Sequence, residues 1–289
     1  PVHNRPVGWR HVNIGFDVGS VRVTVNLAPA DVRKDGAAFD LPIALGILGS
    51  RRLVPLKRRD LLLAGELSLD GRIKPIRGAL SLAEAARRGA LPGILLPRSN
   101  AREAALVQGL PVHGVETLRE AASFVSGTQE IKPEGALEDR NEADLNALDF
   151  SDVCGQPQAM RAAEVAAAGG HNIMMIGPPG AGKTMLAQRL TTILPVLSLA
   201  ESLETTQIYS SVGLLSKGKP LLATRPVRMP HHSASGPALI GGGTTPRPGE
   251  LSLAHFGILF LDEFVEFPRH VLEMIRQPLE DGFVLVSRA

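Results

Sequence analysis

Residues 177–184 read Gly177-Pro178-Pro179-Gly180-Ala181-Gly182-Lys183-Thr184, a complete match to G-x-x-x-x-G-K-[ST]. The apolar stretch 172–176 before it reads as a strand, and 183–194 after it as a helix. Each residue type has a task in that setting. Glycines let the backbone wrap closely around phosphates and present N–H groups at a helix N-terminus, where the dipole favours anions. At this spacing Lys183 reaches the β- and γ-phosphates, and the Thr184 hydroxyl ligates Mg²⁺. Lys183 thereby counts among both the catalytic and the nucleotide-binding candidates.

About 80 residues further on, Gly257-Ile258-Leu259-Phe260-Leu261 ends in Asp262-Glu263. A buried strand with that ending delivers Asp262 to the Mg²⁺ shell and leaves Glu263 to polarise the attacking water. The two elements together indicate hydrolysis of ATP. GTP is disfavoured, because no N-K-x-D-type guanine-reading sequence occurs in the 289 residues.

The elements that must position these residues follow from periodicity. After 151 the order is helix 157–168, strand 172–176, the glycine turn, helix 183–194, strand 257–261, helix 269–277 and a strand-like 282–287. Strand–turn–helix units with apolar strands predict a parallel sheet covered on both faces. Residues 1–126 mix an alternating strand at 21–27, a helix at 39–48 with Asp40 as its cap and Pro42 in its first turn, and an Asp70-Gly71 hairpin between 61–69 and 73–76. A helix at 79–88, a strand at 93–96 and helices at 101–108 and 118–125 complete an α+β module. Between the two, 127–150 is acidic, carries Pro133 and Gly135, and has no sustained apolar period, so it reads as a linker. The expected domains are 1–126, the linker 127–150, and 151–289.

Charge sharpens this division. The chain carries 31 basic and 29 acidic residues. Residues 1–126 hold a net charge of +7, the linker −5, and the remainder none. Arg51, Arg52, Lys57, Arg58 and Arg59 form a basic cluster suited to phosphate backbones, or simply a solvated face. The single cysteine, Cys154, excludes an internal disulfide framework and a Cys-rich metal site. No apolar run approaches the ~18 residues of a spanning helix, and no secretory signal is visible. A cytoplasmic setting without membrane or disulfide partners is expected.

Several motifs carry resemblances. Asp152-Val153-Cys154-Gly155-Gln156 resembles the D-V-x-G-Q opening of AAA+ ATPases, which implies that Val153, Gly155 and Gln156 line an adenine pocket. Pro230-His231-His232-Ser233-Ala234-Ser235, Ile240-Gly241-Gly242-Gly243 and Pro248-Gly249-Glu250-Leu251-Ser252-Leu253-Ala254-His255 lead into the Asp-Glu strand, followed by Arg276-Gln277-Pro278-Leu279-Glu280-Asp281-Gly282. That succession resembles the magnesium chelatase ATPase subunits, where an insertion would correspond to 208–223, with Gly218 at a turn. Adjacent histidines are poorly placed to share one ion, so His231 and His232 read as a loop lining a central pore or the nucleotide edge. His171 and His255 read as packing or surface residues.

The first module resembles the Lon-protease-like domain (ribosomal S5 domain 2-like) through 25–31, 33–42 and 65–71. Such a domain ahead of a chelatase-type ATPase is the arrangement of the YifB/ComM family of competence-related proteins. The family implies a hexameric ring, DNA as partner, and helicase or branch-migration activity. The alternatives are a chelatase ATPase subunit, which inserts metal into a porphyrin but lacks the Lon-like module, and a nucleotide-switched scaffold. The resemblance also implies a fragment cut at both ends, without the sensor, arginine finger and lid, and so weakly active or inactive alone.

In that family pattern the Ser–Lys dyad of a protease would fall at Ala38 and Leu80. A methyl and an isobutyl group cannot carry acyl transfer. The protein is therefore predicted to leave a fluorogenic peptide uncleaved with or without ATP, and turnover that copurifies with it would overturn this reading.

Overall fold

The computed structural model describes Phe16, Val25 and residues 37–135, 148–216, 218–243 and 246–284. The chain divides into two compact units, Pro1–Glu138 and Asp139–Ala289. Most of the strand expected at 21–27 lies outside the described residues, as do residues 136–147 of the acidic linker expected at 127–150 and the end of the strand expected at 282–287.

The first unit runs α1 (Asp40–Ser50), β1 (Leu62–Leu63), β2 (Glu66–Leu67), β3 (Ile73–Lys74), α2 (Ala79–Arg88), β4 (Ile94–Pro97), α3 (Arg98–Ala104), β5 (Val112–Val115) and α4 (Leu118–Val125). The three strands β1, β4 and β5 form a parallel sheet with β4 central, in the register Leu62↔Ile94 and Ile94↔Val112. Every residue of β4 is buried, which explains its uninterrupted apolar sequence. Leu95 joins the core of α1 and α4 with Leu41, Leu45, Leu48, Leu118 and Phe124. Strand pleating turns Ile94 and Leu96 to the other face, and α2 and α3 pack on β4 and β5.

The Asp70-Gly71 turn joins β2 to β3 in an antiparallel hairpin, as its sequence predicts. The Asp40 carboxylate, expected as a cap, instead accepts a hydrogen bond from the Leu67 N–H at 3.3 Å, and Phe39 occupies the cap position. Burial raises the Asp40 carboxyl above its ordinary pKa, while that N–H opposes the shift. The third helix starts at Arg98, three residues before its expected start.

The second unit runs α5 (Pro157–Gly169), α6 (Lys183–Leu190), α7 (Leu199–Val212), β6 (Val227–Arg228), α8 (Gly236–Ile240), β7 (Gly241–Gly242), β8 (Arg247–Pro248), α9 (Glu250–Leu253), β9 (Ile258–Leu259) and α10 (Arg269–Asp281). Two expectations are corrected here. Residues 172–176 form no strand, since a strand requires a hydrogen-bonded neighbour and none pairs with them among the described residues. Their side chains still alternate: Met175 packs against the core, while Met174 and Ile176 are 76% and 88% exposed. Parallel pairing in this unit is confined, among the described residues, to β6 and β9, so the broad sheet expected there is not assembled. Gly282 adopts a left-handed conformation that closes α10 instead of opening a strand.

Helix α7 was not anticipated, although its start is written in the sequence. Ser198 and Glu201 form a capping box, each side chain accepting a backbone N–H from the other's position. The helix takes up 208–212, and Gly218 sits at a turn as expected.

Two apolar clusters hold β9 in place. Phe150, Val153, Ala163, Ala167, Leu186 and Leu190 form the first, against which Ile258 packs. Leu239, Ile240, Phe267, Val271 and Ile275 form the second, against which Leu261 packs. At Gly257, immediately before β9, an added Cβ would collide with the Pro226 carbonyl that accepts the Ile258 N–H at 2.9 Å. Gly257→Ala is expected to cost about 1–3 kcal/mol, as overpacking typically does. An earlier chemical-denaturation midpoint checks this, and an unchanged midpoint would show that the close approach is dispensable.

Candidate functional site

The site is built at the start of α6. Gly180 and Gly182 both take left-handed backbone conformations with φ of 78°. Side chains with a Cβ adopt that region reluctantly, which accounts for glycine at both places. The first i→i−4 bond of the helix runs from the Leu186 N–H to the Gly182 carbonyl at 2.9 Å. The amides of Lys183, Thr184 and Met185 precede it, so they have no acceptor within the helix and are available to an anion. The loop is pinned at its middle by Gln156, whose amide Nε2 donates to the Ala181 carbonyl at 2.8 Å.

Lys183 lies along the loop, with Nζ donating to the carbonyls of Gly177 at 2.9 Å and Pro178 at 3.1 Å. The Thr184 hydroxyl donates to Asp262 Oδ2 at 3.1 Å across 78 residues of sequence. Asp262 Oδ1 accepts the N–H of Glu263 at 3.0 Å. Both oxygens of the aspartate are thus oriented, one toward the loop and one by the backbone that follows.

Glu263 itself has a left-handed conformation, φ 52° and ψ 47°, in a residue with a full side chain. Left-handed backbone at a non-glycine residue is uncommon and turns the chain sharply out of β9. Its carboxylate meets His232 Nδ1 at 3.0 Å.

Thr184 and Asp262, anticipated as the Mg²⁺ ligands, are therefore brought together. Hydroxyl and carboxylate oxygens are the hard donors that Mg²⁺ takes, usually with several waters retained, so the pair fits that ion. Val153 is buried in the cluster beside α6, whereas Gly155 and Gln156 are exposed before α5. Gln156 thus reaches the loop, and Val153 acts on it through packing. Pro178 and Pro179 lie exposed between the loop glycines.

The pairing of His232 with Glu263 escaped the sequence reading, which placed both histidines on a pore-lining or nucleotide-edge loop. The signal available was the equal spacing of the two motifs beyond β6 and β9, and it becomes visible only when the strands' register is known. Among the described residues no group of three or more histidine, cysteine, aspartate and glutamate side chains is arranged to hold a metal. Cys154 is exposed and free. No helix among the described residues is long and apolar enough to cross a membrane.

The family described as "Magnesium chelatase, subunit ChlI" matches residues 149–289, and "Subunit ChlI of Mg-chelatase" matches residues 10–100. These matches place the chain in the class of magnesium chelatase-like AAA+ proteins. An uncharacterized protein of Mycobacterium tuberculosis (strain H37Rv) is 46% identical over 278 residues, covering 96% of this chain and 55% of that protein. Competence protein ComM of Haemophilus influenzae is 44% identical over 286 residues, with 96% and 55% covered. The uncharacterized protein YifB of Escherichia coli K12 is 43% identical over 282 residues, with 96% and 54% covered. The chain belongs to the YifB/ComM family.

It spans just over half the length of these curated relatives. A shorter likeness, 37% identity over 75 residues, links it to Lon protease 3 of Sorangium cellulosum, covering 26% of this chain and 9% of that protein.

Replacing Lys183 with alanine removes the cation while leaving the loop backbone in place. The variant is expected to lose detectable binding of a fluorescent ATP analogue in a titration. Unchanged affinity would remove this loop from the nucleotide site.

Proposed function

We propose that the chain carries the ATP site of an AAA+ motor that assembles as a ring, hexameric by family analogy, and works on DNA in the cytoplasm. The observation that supports this most is the 3.1 Å contact between Thr184 and Asp262, because it joins the phosphate loop to an acid-tipped strand. In this reading the α6 amides and Lys183 bind the triphosphate, the lysine exchanging its two carbonyl partners for phosphate oxygens. Thr184 and Asp262 hold Mg²⁺, which when bound offsets charge on the phosphates. Glu263 accepts a proton from water as the water oxygen bonds to the γ-phosphorus and the bond to the β,γ-bridging oxygen breaks, releasing ADP and phosphate. Gln156 and Gly155 border the adenine side, and Val153 supports them from the core.

DNA enters through the name of a relative, a competence protein, and through the net charge of +7 on residues 1–126. Arg51, Arg52, Lys57 and Arg59 are exposed there, so phosphate contacts fall preferentially on this segment. The domains proposed are the Lon-like 1–126, the acidic tether 127–150 and the ATPase core 151–289. A peptidase role has no support in the side chains at 38 and 80.

The rival reading is an ATPase subunit that drives metal insertion into a porphyrin, and the wording of the matching families favours it. Salt titration of DNA binding by the full-length protein separates the two. Affinity falling steeply with salt is expected of the DNA motor, and no binding even at low salt would sink it. For the chemistry, Glu263→Gln is expected to retain ATP affinity while single-turnover hydrolysis falls about 100-fold or more, the span of a lost general base. Hydrolysis at the parent rate would overturn the role of Glu263.

A further inference from the structure

The cations of 51–59 stand on a loop that the fold holds at several points. The N–H groups of Lys57 and Arg58 both donate to the Val125 carbonyl at 3.1 Å, where α4 ends. Arg59 donates through Nε to the Leu56 carbonyl at 2.8 Å. Arg58 lies with its guanidinium 4.2 Å from the ring centroid of Phe124, a fully buried side chain of the core. Stacking on an aromatic face fixes the plane of a guanidinium without using its N–H donors.

The charge of this loop is poorly balanced. Elsewhere in the unit Lys74 pairs with Glu66, and Arg98 with Glu116. Arg51, Arg52, Lys57 and Arg59 are all exposed and enter no ion pair among the described residues. Asp60 is the only acid within 51–60. Cations crowded in this way attract a polyanion strongly.

Arg58 alone has a carboxylate partner, and it comes from 72 residues away. Its Nη2 donates to Glu130 Oε1. Glu130 sits in a strap, 128–134, laid against the same unit. The amides of Thr128 and Gln129 donate to the Ser123 carbonyl at 3.0 and 3.2 Å, and the Glu134 N–H donates to Val112 of β5 at 2.8 Å. Between them Ile131 packs on the core, and its carbonyl accepts from His113 Nδ1 at 2.9 Å. The strap therefore presents Glu130 to Arg58 without depending on that ion pair. The Glu130 side chain is 77% exposed and that of Arg58 29%. An ion pair so open to water contributes little and exchanges readily. A guanidinium fork fits phosphate oxygens as well as it fits a carboxylate.

We propose that loop 51–59 is a docking surface for the sugar–phosphate backbone of DNA, with Arg58 as its central contact and Glu130 holding that arginine until a phosphate replaces it. The proposal deepens the reading of residues 1–126 as the DNA-contacting segment and rests on it. Backbone contacts carry no base information, so this surface reads charge and not sequence.

The test is a salt series of fluorescence-anisotropy titrations of the full-length protein against a labelled DNA duplex. Arg51→Gln and Arg58→Gln are each expected to weaken binding about 5- to 10-fold near 0.1 M salt and to make the log–log salt slope shallower by about one. Glu130→Gln keeps the shape of the side chain, removes its charge, and is expected to tighten binding about 2- to 5-fold. In the Arg58→Gln, Glu130→Gln double variant that gain is expected to vanish, since it acts through Arg58.

Parent affinity in either arginine variant overturns the docking surface. The exposed Arg51 side chain has no ion pair to lose, so weakened binding there is not a folding defect. A gain from Glu130→Gln that persists in the double variant marks a general charge effect and overturns the gating role of Glu130, as does no gain at all. Absence of binding by the parent protein even at low salt would instead overturn the reading beneath the proposal.

Discussion

The hydrogen bond between Thr184 and Asp262 is the constraint on which the site depends. It joins two motifs 78 residues apart, neither of which is a site alone. A glycine-rich turn ahead of a helix gives free amides and a cation, and an acid at the end of a strand gives a carboxylate. Only their meeting puts a hydroxyl and a carboxylate oxygen within reach of one hard cation. The bond is modest in energy, about 1.5–3 kcal/mol for a hydrogen bond to a charged group. Its weight lies in geometry, because everything that orients Asp262 also orients the loop.

That orientation comes from packing on both sides of β9. Ile258 sits against the cluster containing Leu186 and Leu190 of α6, and Leu261 against the cluster containing Phe267 and Val271. The same strand therefore touches the helix that carries Thr184 and the elements that frame His232. Pairing with β6 then brings a second loop, 229–232, to the same edge of the strands. Ligands of parallel sheets gather outside the carboxyl ends of the strands, where such loops converge.

In the first unit, Ala38 and Leu80 are both held by the fold. The sequence has alanine at 38 and leucine at 80, where the Lon-protease resemblance would place reactive groups. Leu80 is fully buried, and its N–H donates to Glu103 at 3.1 Å. The Ala38 carbonyl accepts the Gly65 N–H at 2.9 Å, tying the segment to the chain ahead of the β2–β3 hairpin. Both positions serve the fold.

Much of this was written in local sequence. The phosphate loop, the helix behind it, the Asp70-Gly71 hairpin, the helix Leu118–Val125 and the fully apolar β4 were all legible, because each depends on residues close together in the chain. The Ser198–Glu201 capping box that opens α7 is equally local. What sequence could not decide was pairing. An apolar stretch such as 172–176 looks like a strand whether or not another strand lies beside it, since its hydrogen bonds must come from elsewhere. The parallel sheet of β1, β4 and β5 was unforeseen for the same reason. His232 and Glu263 meet only because two strands share a register, which no spacing along a single chain encodes. The sequence by itself determined which groups can do the chemistry; the tertiary structure decided which of them stand together, since side-chain type is a local property and proximity is not.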